Sequence, residues 1–347
     1  MALRVEIEKR LRGFTLQAEF EAGSETMGLL GASGSGKSMT LRCVAGIEKP
    51  DRGRIILDGR TLFDSERGIN LSPQERNVGL MFQHYALFPH MTVKQNILCG
   101  MKGRKGPETE RRAAELMEAF GLTNLAERRP SQSSGGQQQR TALARILAGD
   151  PELLMLDEPF SALDSHLRFQ TEREVRQVIR RFGKTVLLVS HNRDEIYRMA
   201  DRVAIFREGR IERQDTREAI FRDPGTRAGC MLTGCKNLSA FTPEDGRHGY
   251  ASDWGIHLTL PLREGTDAVG IRMHSILPGR GPSNTFRCRV SEVIENPFSI
   301  TVMLRPEEAP PGADPIGWEM EKGTWESLRA ESLVVHMPEE KILQLRG

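Results

Sequence analysis

The stretch Met27-Gly28-Leu29-Leu30-Gly31-Ala32-Ser33-Gly34-Ser35-Gly36-Lys37-Ser38 decides how this chain is read. Residues 26–30 form a short apolar strand. Gly31–Ser38 fits the pattern G-x-x-x-x-G-K-[ST], and Met39–Ala45 reads as the opening of a helix. Strand, glycine-rich loop and helix follow in the order that a phosphate-binding loop requires. Glycine lets successive backbone N–H groups turn inward as an anion nest. The helix that follows adds the partial positive charge of its N-terminus. Lys37 brings a full charge to the β- and γ-phosphates, and the Ser38 hydroxyl is a hard oxygen ligand suited to Mg²⁺. The expected nucleotide-binding residues are Gly31, Ala32, Ser33, Gly34, Ser35, Gly36, Lys37, Ser38 and Met39.

Around this loop, strands and helices alternate. Residues 3–9 and 14–20 read as strands. Pro107–Phe120 and Gly135–Ala148 read as helices, and a third helix carries Leu167, Val175, Val178, Ile179 and Phe182. Leu153–Leu156 and Val186–Val189 are apolar runs bounded by turn signals, as in strands buried on both faces of a parallel sheet. The alternation implies an open α/β sheet. Ligands of such sheets bind beyond the carboxyl ends of the strands. Asp157 and Glu158, which follow the first run, should therefore face the phosphate loop. Asp157 suits Mg²⁺ through water, and Glu158 is placed to polarise the water that attacks the γ-phosphate. Ser190-His191 ends the second run, where the histidine can reach the γ-phosphate and hold the water or Glu158. Ser133-Ser134-Gly135-Gly136-Gln137 opens the Gly135–Ala148 helix. A Ser-Gly-Gly start caps a helix and leaves N–H groups for an anion, so it reads as a second phosphate grip.

Composition narrows the function classes. The 347 residues leave room for two domains. Lys plus Arg is 49 against 47 Asp plus Glu, too even a balance for a general nucleic-acid coat. Hydrophobic residues are 38% and charged ones 28%, the signature of a soluble globular chain. No apolar run approaches the ~20 residues that span a bilayer, and Met1–Glu6 lacks the features of a secretory signal. Cys43, Cys99, Cys230, Cys235 and Cys288 are scattered, so reduced thiols in a cytosolic protein are expected, with neither disulfide framework nor zinc site. Cys230 and Cys235 keep a ligand-binding reading open. Beyond residue 230 the texture changes: residues 231–347 hold 10 of the 18 prolines and all three tryptophans. Alternation at Phe286, Cys288, Val290 and at Ile300, Val302, Leu304 implies a small antiparallel β domain.

Taken together these residues resemble the ATP-binding subunit of an ABC transporter. The chain shows the Walker A loop, Gln83 in Phe82-Gln83, the signature Ser134-Gly135-Gly136-Gln137, the Walker B acids Asp157-Glu158, the D-loop Ser161-Ala162-Leu163-Asp164 and the switch His191. One residue departs from the family: Ser133 stands where leucine is usual, which bears on local packing more than on catalysis. The resemblance implies a P-loop NTPase of ABC type over 1–230, with a helical subdomain at about 84–150, and a C-terminal regulatory β-barrel (TOBE/MOP-like, OB-type) over 231–347. It implies ATP and Mg²⁺, with Glu158, His191, Gln83 and Lys37 as catalytic residues and Ser38, Gln83 and Asp157 around the metal. It also implies a head-to-tail homodimer in which Ser134, Gly135, Gly136 and Gln137 of one copy meet ATP held by the other, with Ser161 and Asp164 in the D-loop. Phe14 has two readings, stacking on adenine or core packing.

Within the family, Gln83–Val93 resembles the importer stretch that helps to form the groove for a permease helix. Tyr85, Leu87 and Phe88 belong either to that groove or to the core. The C-terminal part resembles the regulatory domain of oxyanion, polyamine, iron and sugar importers, and the chain looks most like molybdate importers. Lys236 and Asn237, in Thr233-Gly234-Cys235-Lys236-Asn237, either bind an oxyanion or belong to a solvated linker. The implied partners are integral-membrane permease subunits and, indirectly, an extracytoplasmic substrate-binding protein, with no nucleic acid. The implied place is peripheral, on the cytoplasmic face of the inner membrane. Importers of sulfate, iron, spermidine/putrescine or sugar are the alternatives, and a soluble ABC ATPase acting on DNA or ribosomes is the remote one.

Overall fold

Strict alternation builds the first hairpin: β1 (Leu3–Arg10) buries Leu3, Val5 and Ile7, and β2 (Thr15–Ala22) buries Leu16, Ala18, Phe20 and Ala22. The two pair antiparallel with Leu3 opposite Ala22. The structure, a computed structural model, describes residues 2–347 apart from 102, 104, 105 and 162–164, and describes no side chain at 165–167. It divides into two units, Met1–Arg217 and Glu218–Gly347.

In the first unit the chain continues through β3 (Thr26–Gly31), α1 (Lys37–Ala45), β4 (Arg52–Leu57), β5 (Arg60–Asp64), β6 (Ile69–Asn70), α2 (Pro73–Arg76) and β7 (Val78–Met81). Then come α3 (Val93–Cys99), α4 (Pro107–Ala119), α5 (Gly135–Ala148), β8 (Leu153–Asp157), α6 (Ser165–Phe182), β9 (Thr185–Ser190), α7 (Arg193–Met199), β10 (Arg202–Arg207) and β11 (Arg210–Thr216). Among the described residues the strands form one eleven-stranded sheet in the order β6-β5-β4-β1-β2-β11-β10-β3-β9-β8-β7. The neighbours from β10 to β7 are parallel. Every residue of β3, β8 and β9 is buried, which is why these strands read as unbroken apolar runs. The parallel strands end on one side, where β3, β8 and β9 release Gly31, Asp157 and Ser190. Helices α3, α4 and α5 lie together between β7 and β8 in sequence. Lys94 of α3 reaches Glu110 of α4 at 2.8 Å. A Cβ added to Gly100, just after α3, would strike the Arg145 carbonyl of α5.

The first helix is finished by a buried cation. Arg76 has no exposed surface. It donates to the carbonyls of Cys43 and Val44 at 2.8 and 2.9 Å, and also to Leu71 O and Asn70 Oδ1. The Val44 carbonyl at the end of α1 is thereby satisfied, the Cys43 carbonyl gains a second donor beside Gly46 N, and a cation sits at the negative end of that helix.

The second unit holds α8 (Arg217–Arg222), α9 (Arg227–Leu232), β12 (Asn237–Pro243), β13 (His248–Ala251), β14 (Ile256–Thr259), β15 (Ala268–Ile271), β16 (Leu277–Pro278) and β17 (Thr285–Glu295). It continues with β18 (Ser299–Pro306), β19 (Ile316–Glu321), α10 (Lys322–Leu328), β20 (Ser332–His336) and β21 (Ile342–Leu345). Two five-stranded antiparallel sheets, β14-β13-β12-β15-β21 and β16-β20-β17-β18-β19, form the half-barrels of a small OB-type domain around a shared core. The boundary falls at 217/218, not at the expected 230/231. The reason is that α8 and α9 are bound into the β unit. Arg272 donates to Phe221 O at 2.6 Å and to Thr233 O at 2.8 Å, and Cys230 packs with Cys235, Ala268 and Leu345. Among the described residues no helix is long and apolar enough to cross a membrane.

Candidate nucleotide site

The phosphate loop leaves β3 at Gly31 and enters α1 at Lys37. Gly36 sits at φ 106, in the left-handed region, and a Cβ there would come within 2.8 Å of the Leu16 side chain. No side chain caps α1, so its first N–H groups are left for an outside acceptor. Lys37 is 4% exposed. Its Nζ donates to the carbonyls of Gly31 and Ala32, each at 2.8 Å, and reaches Ser35 Oγ at 3.4 Å. Burial draws the Lys37 pKa below the usual lysine range, while the charges of Glu158 and Asp157 push it back up. Ala32, Ser33 and Gly34 are exposed along the loop. The Met39 side chain packs on the core, so its contribution to the loop is its backbone.

The acids stand where the sequence places them. Asp157 ends β8, and its Oδ1 accepts the Ser38 hydroxyl at 2.7 Å. Burial raises the Asp157 pKa above the ordinary carboxylate range; the Ser38 hydrogen bond opposes the rise. Glu158 adopts φ 46, a left-handed conformation that costs a non-glycine residue about 1–3 kcal/mol. Three hydrogen bonds hold it there: its N–H donates to Val189 O at 3.0 Å, and its carbonyl accepts from Ser161 N at 3.2 Å and Ser161 Oγ at 3.0 Å. The carboxylate lies 3.2 Å from Nδ1 of His191, an ion pair when the imidazole is protonated. His191 follows β9. Its setting is made by Ser190, whose hydroxyl donates to buried Glu195 at 2.6 Å and accepts the N–H of Asn192 at 2.9 Å.

Other expected residues do not join this cluster. Gln83 is exposed in the turn after β7 and makes no hydrogen bond to Ser38 or Asp157. Ala162, Leu163 and Asp164 lie outside the described residues. Ser134 is the N-cap of α5 and is exposed. Its Oγ accepts from Gln137 N at 3.4 Å, and Gln137 Oε1 accepts from Ser134 N at 3.0 Å. This capping box takes the N–H of Gln137 and leaves those of Gly135 and Gly136 for an outside acceptor. Ser133, the departure from the family pattern, donates to Arg129 O at 3.2 Å, and its carbonyl accepts from Gln138 Nε2 at 3.0 Å.

Phe14 is half-buried in the β1–β2 turn, against the core and beside the phosphate-loop residue Gly36. Tyr85 is buried, Leu87 half-buried and Phe88 42% exposed. In the second unit the oxyanion reading loses its amide. Asn237 is 4% exposed, and its side chain donates to Gly317 O at 2.7 Å and accepts from Gly317 N at 2.8 Å, tying β12 to β19, while Lys236 is exposed. A cavity of about 890 Å³ lies over the outer faces of β1, β2 and β11 and shares no residue with the phosphate loop.

Three residues that sequence reasoning passed over support the site: Arg76, Asn96 and Arg145. Arg76 and Arg145 reach backbone carbonyls 32 to 60 residues away, and Asn96 bonds backbone groups four to eight residues before it; no motif or periodicity announces them. Asn96, fully buried, accepts from Phe88 N at 2.9 Å and donates to Phe88 O, Met91 O and Thr92 O, fixing the segment after Gln83.

A nest of N–H groups, a buried lysine, a hydroxyl–carboxylate pair and a glutamate–histidine pair at the carboxyl ends of parallel strands define a nucleotide-hydrolysing P-loop protein. The family described as ABC transporter matches residues 15–161. A sulfate/thiosulfate import ATP-binding protein of Mesorhizobium japonicum is 44% identical over 261 residues, covering 73% of this chain and 73% of the relative. A molybdenum import ATP-binding protein of Paramagnetospirillum magneticum is 38% identical over 232 residues, covering 67% of this chain and 63% of the relative. A dimeric ATP-binding cassette solved in a post-hydrolysis state with ADP and Pi is similar at 26% identity and TM-score 0.53, covering 62% of this chain and 99% of that one. The chain belongs to the ABC transporter family and is an ATPase of that family.

Proposed function

We propose that this chain is the ATP-hydrolysing subunit of an importer, working as an ATP-sandwich homodimer on a membrane permease at the cytoplasmic face of the membrane. The observation that carries the reading is the split of phosphate-binding equipment. Lys37, Ser38, Asp157, Glu158 and His191 converge at the strand ends, while a second N–H donor tip at Ser134–Gly136 is preformed, with its cap residue Ser134 exposed. Two copies arranged head to tail complete two sites; only ATP bridges them, so hydrolysis distinguishes closed from open.

In each site the loop N–H groups and Lys37 hold the phosphates, and Lys37 exchanges the carbonyls of Gly31 and Ala32 for phosphate oxygens. Ser38 and Asp157 are hard oxygen donors held 2.7 Å apart, a pair that fits Mg²⁺. When bound there, the ion neutralises phosphate charge. Glu158 accepts the proton of the attacking water, and His191 orients its carboxylate. Gln83 senses the γ-phosphate from the turn after β7. Phe14 stacks on the base. Ser161 and Asp164 form the D-loop contact across the dimer. The permease helix docks beside Phe88 in a groove of about 760 Å³ lined by His90, Met91, Leu98 and Cys99. An extracytoplasmic binding protein delivers the substrate.

The substrate is an inorganic oxyanion, with sulfate or thiosulfate ahead of molybdate. The sulfate/thiosulfate relative supports this order: its match is longer and more identical than the molybdenum one. The test is complementation of a strain that lacks its own sulfate-importer ATPase, followed by uptake of labelled sulfate, thiosulfate and molybdate. Restored sulfate or thiosulfate uptake is expected. Restored molybdate uptake alone puts molybdate first again, and no uptake of any of the three refutes the oxyanion reading.

A further inference from the structure

The turn that carries Gln83 is shaped by a residue 60 positions away. Tyr85 and Ala86 are consecutive non-glycine residues at φ 57 and φ 46, each in the left-handed region. Local hydrogen bonds alone do not explain a doubled strain of about 1–3 kcal/mol per residue. Within the turn, Tyr85 N donates to Phe82 O at 2.9 Å and Ala86 N to His84 O at 2.6 Å. The additional restraint comes from α5. Arg145 donates one guanidinium nitrogen to Ala86 O at 2.8 Å and the other to Tyr85 O at 3.0 Å. Its guanidinium carbon also stands 5.5 Å from the centroid of the Phe88 ring. A planar fork with two parallel donors suits two adjacent carbonyls as a single ammonium does not.

We propose that Arg145 is a positioning residue that latches the Gln83 turn to the helix bearing the Ser134–Gly136 tip, so that tip and turn move as one body. Helix α5 runs unbroken from Gly135 to Ala148, with the tip at one end and Arg145 near the other. Displacement of the tip by a nucleotide in the opposite copy then reaches Gln83 and Phe88 without an intermediate loop. The strain at Tyr85 and Ala86 gives the turn a relaxed alternative, which it adopts once the latch is removed. The inference rests on the reading of Gln83 as part of the nucleotide site.

The test uses the full chain with Arg145→Gln, Arg145→Lys, Gln83→Ala and the double variant Gln83→Ala/Arg145→Gln. Hydrogen exchange reads the latch directly. In Arg145→Gln the amides of 83–88 exchange at least tenfold faster, those of α5 are unchanged, and Arg145→Lys lies between. Unchanged exchange at 83–88 overturns the proposal, as does equal acceleration throughout α5, which marks general loosening. Steady-state ATP hydrolysis reads the consequence. Arg145→Gln lowers kcat roughly 5–20-fold with KM for ATP within about twofold, and adds no further loss in the Gln83→Ala background. Multiplying losses in the double variant mean that Arg145 does not act through Gln83, and they overturn the inference while leaving the role of Gln83 intact. If Gln83→Ala alone leaves kcat unchanged, the assignment of Gln83 fails and with it the proposed route to the nucleotide.

Discussion

Glu158 is held in a strained conformation by three hydrogen bonds, and its carboxylate is aimed at His191. Replacing it with glutamine keeps the shape and removes the proposed proton acceptor. Glu158→Gln is therefore expected to bind ATP normally while turnover falls about 10²–10⁴-fold, the usual worth of a general base; a phosphate-release assay checks it, and near-wild-type rates remove Glu158 from the mechanism. Asp157 carries a different cost. Burial makes its carboxyl hold a proton more tightly in the fold than in the unfolded chain. Stability therefore falls as pH rises from the ordinary carboxylate pKa through the raised one, and the whole cost is present above both. Asp157→Asn still accepts from Ser38 and carries no charge. It should melt at a higher temperature than the wild type at pH 7, lose that advantage below the ordinary carboxylate range, and hydrolyse ATP poorly. Melting curves at neutral and acid pH decide it, since an advantage that persists unchanged into acid has another cause.

Among elements, α1 matters most, because its start is the proposed phosphate grip and its end is tied down by Arg76. A methionine at 76 fills the space but strands Val44 O and takes a donor from Cys43 O, Leu71 O and Asn70 Oδ1. Arg76→Met should cost about 3 kcal/mol, within the range for stranded buried polar groups, read as a lower denaturation midpoint at unchanged slope. In the second unit the Asn237 amide bridges β12 and β19 through both atoms of its side chain. Asn237→Leu should cost about 2–3 kcal/mol and leave ATP hydrolysis by the first unit within twofold. A large loss of hydrolysis without destabilisation counts against a purely structural amide.

At the scale of the whole molecule, the division into two units makes their unfolding separately observable. Trp254, Trp318 and Trp325 are all buried in the second unit, so tryptophan fluorescence reports that unit alone. ATP at 100 times its Kd should stabilise the first unit by about 2.7 kcal/mol. The circular-dichroism transition of the first unit moves upward and the fluorescence transition stays in place. Coincident movement of both signals shows the units to be energetically one. The sandwich is tested by size-exclusion chromatography of Glu158→Gln. It should run as a dimer with ATP and as a monomer with ADP, and Ser134→Arg, which blocks the tip, should abolish the dimer.

Much of this was legible in the residues themselves. Strands β3, β8 and β9 are buried on both faces and so appear as apolar runs, and the phosphate loop needs its glycines, lysine and serine in one contiguous stretch. The mixed strands β4, β5 and β6 went unread because their exposed arginines and polar residues break the alternation. The unit boundary was misplaced because the hold of Arg272 on Phe221 and Thr233 spans dozens of residues. The sequence by itself determined the chemistry at hand, since nest, cation, hydroxyl and acids are local patterns dictated by backbone geometry and side-chain type. Tertiary structure alone decided how that chemistry is held: Arg76 on α1, Asn96 and Arg145 on the Gln83 segment, Asn237 between two sheets. Arg76, Arg145 and Asn237 bond backbone groups 32 to 80 residues away, which become their neighbours only when the chain has folded.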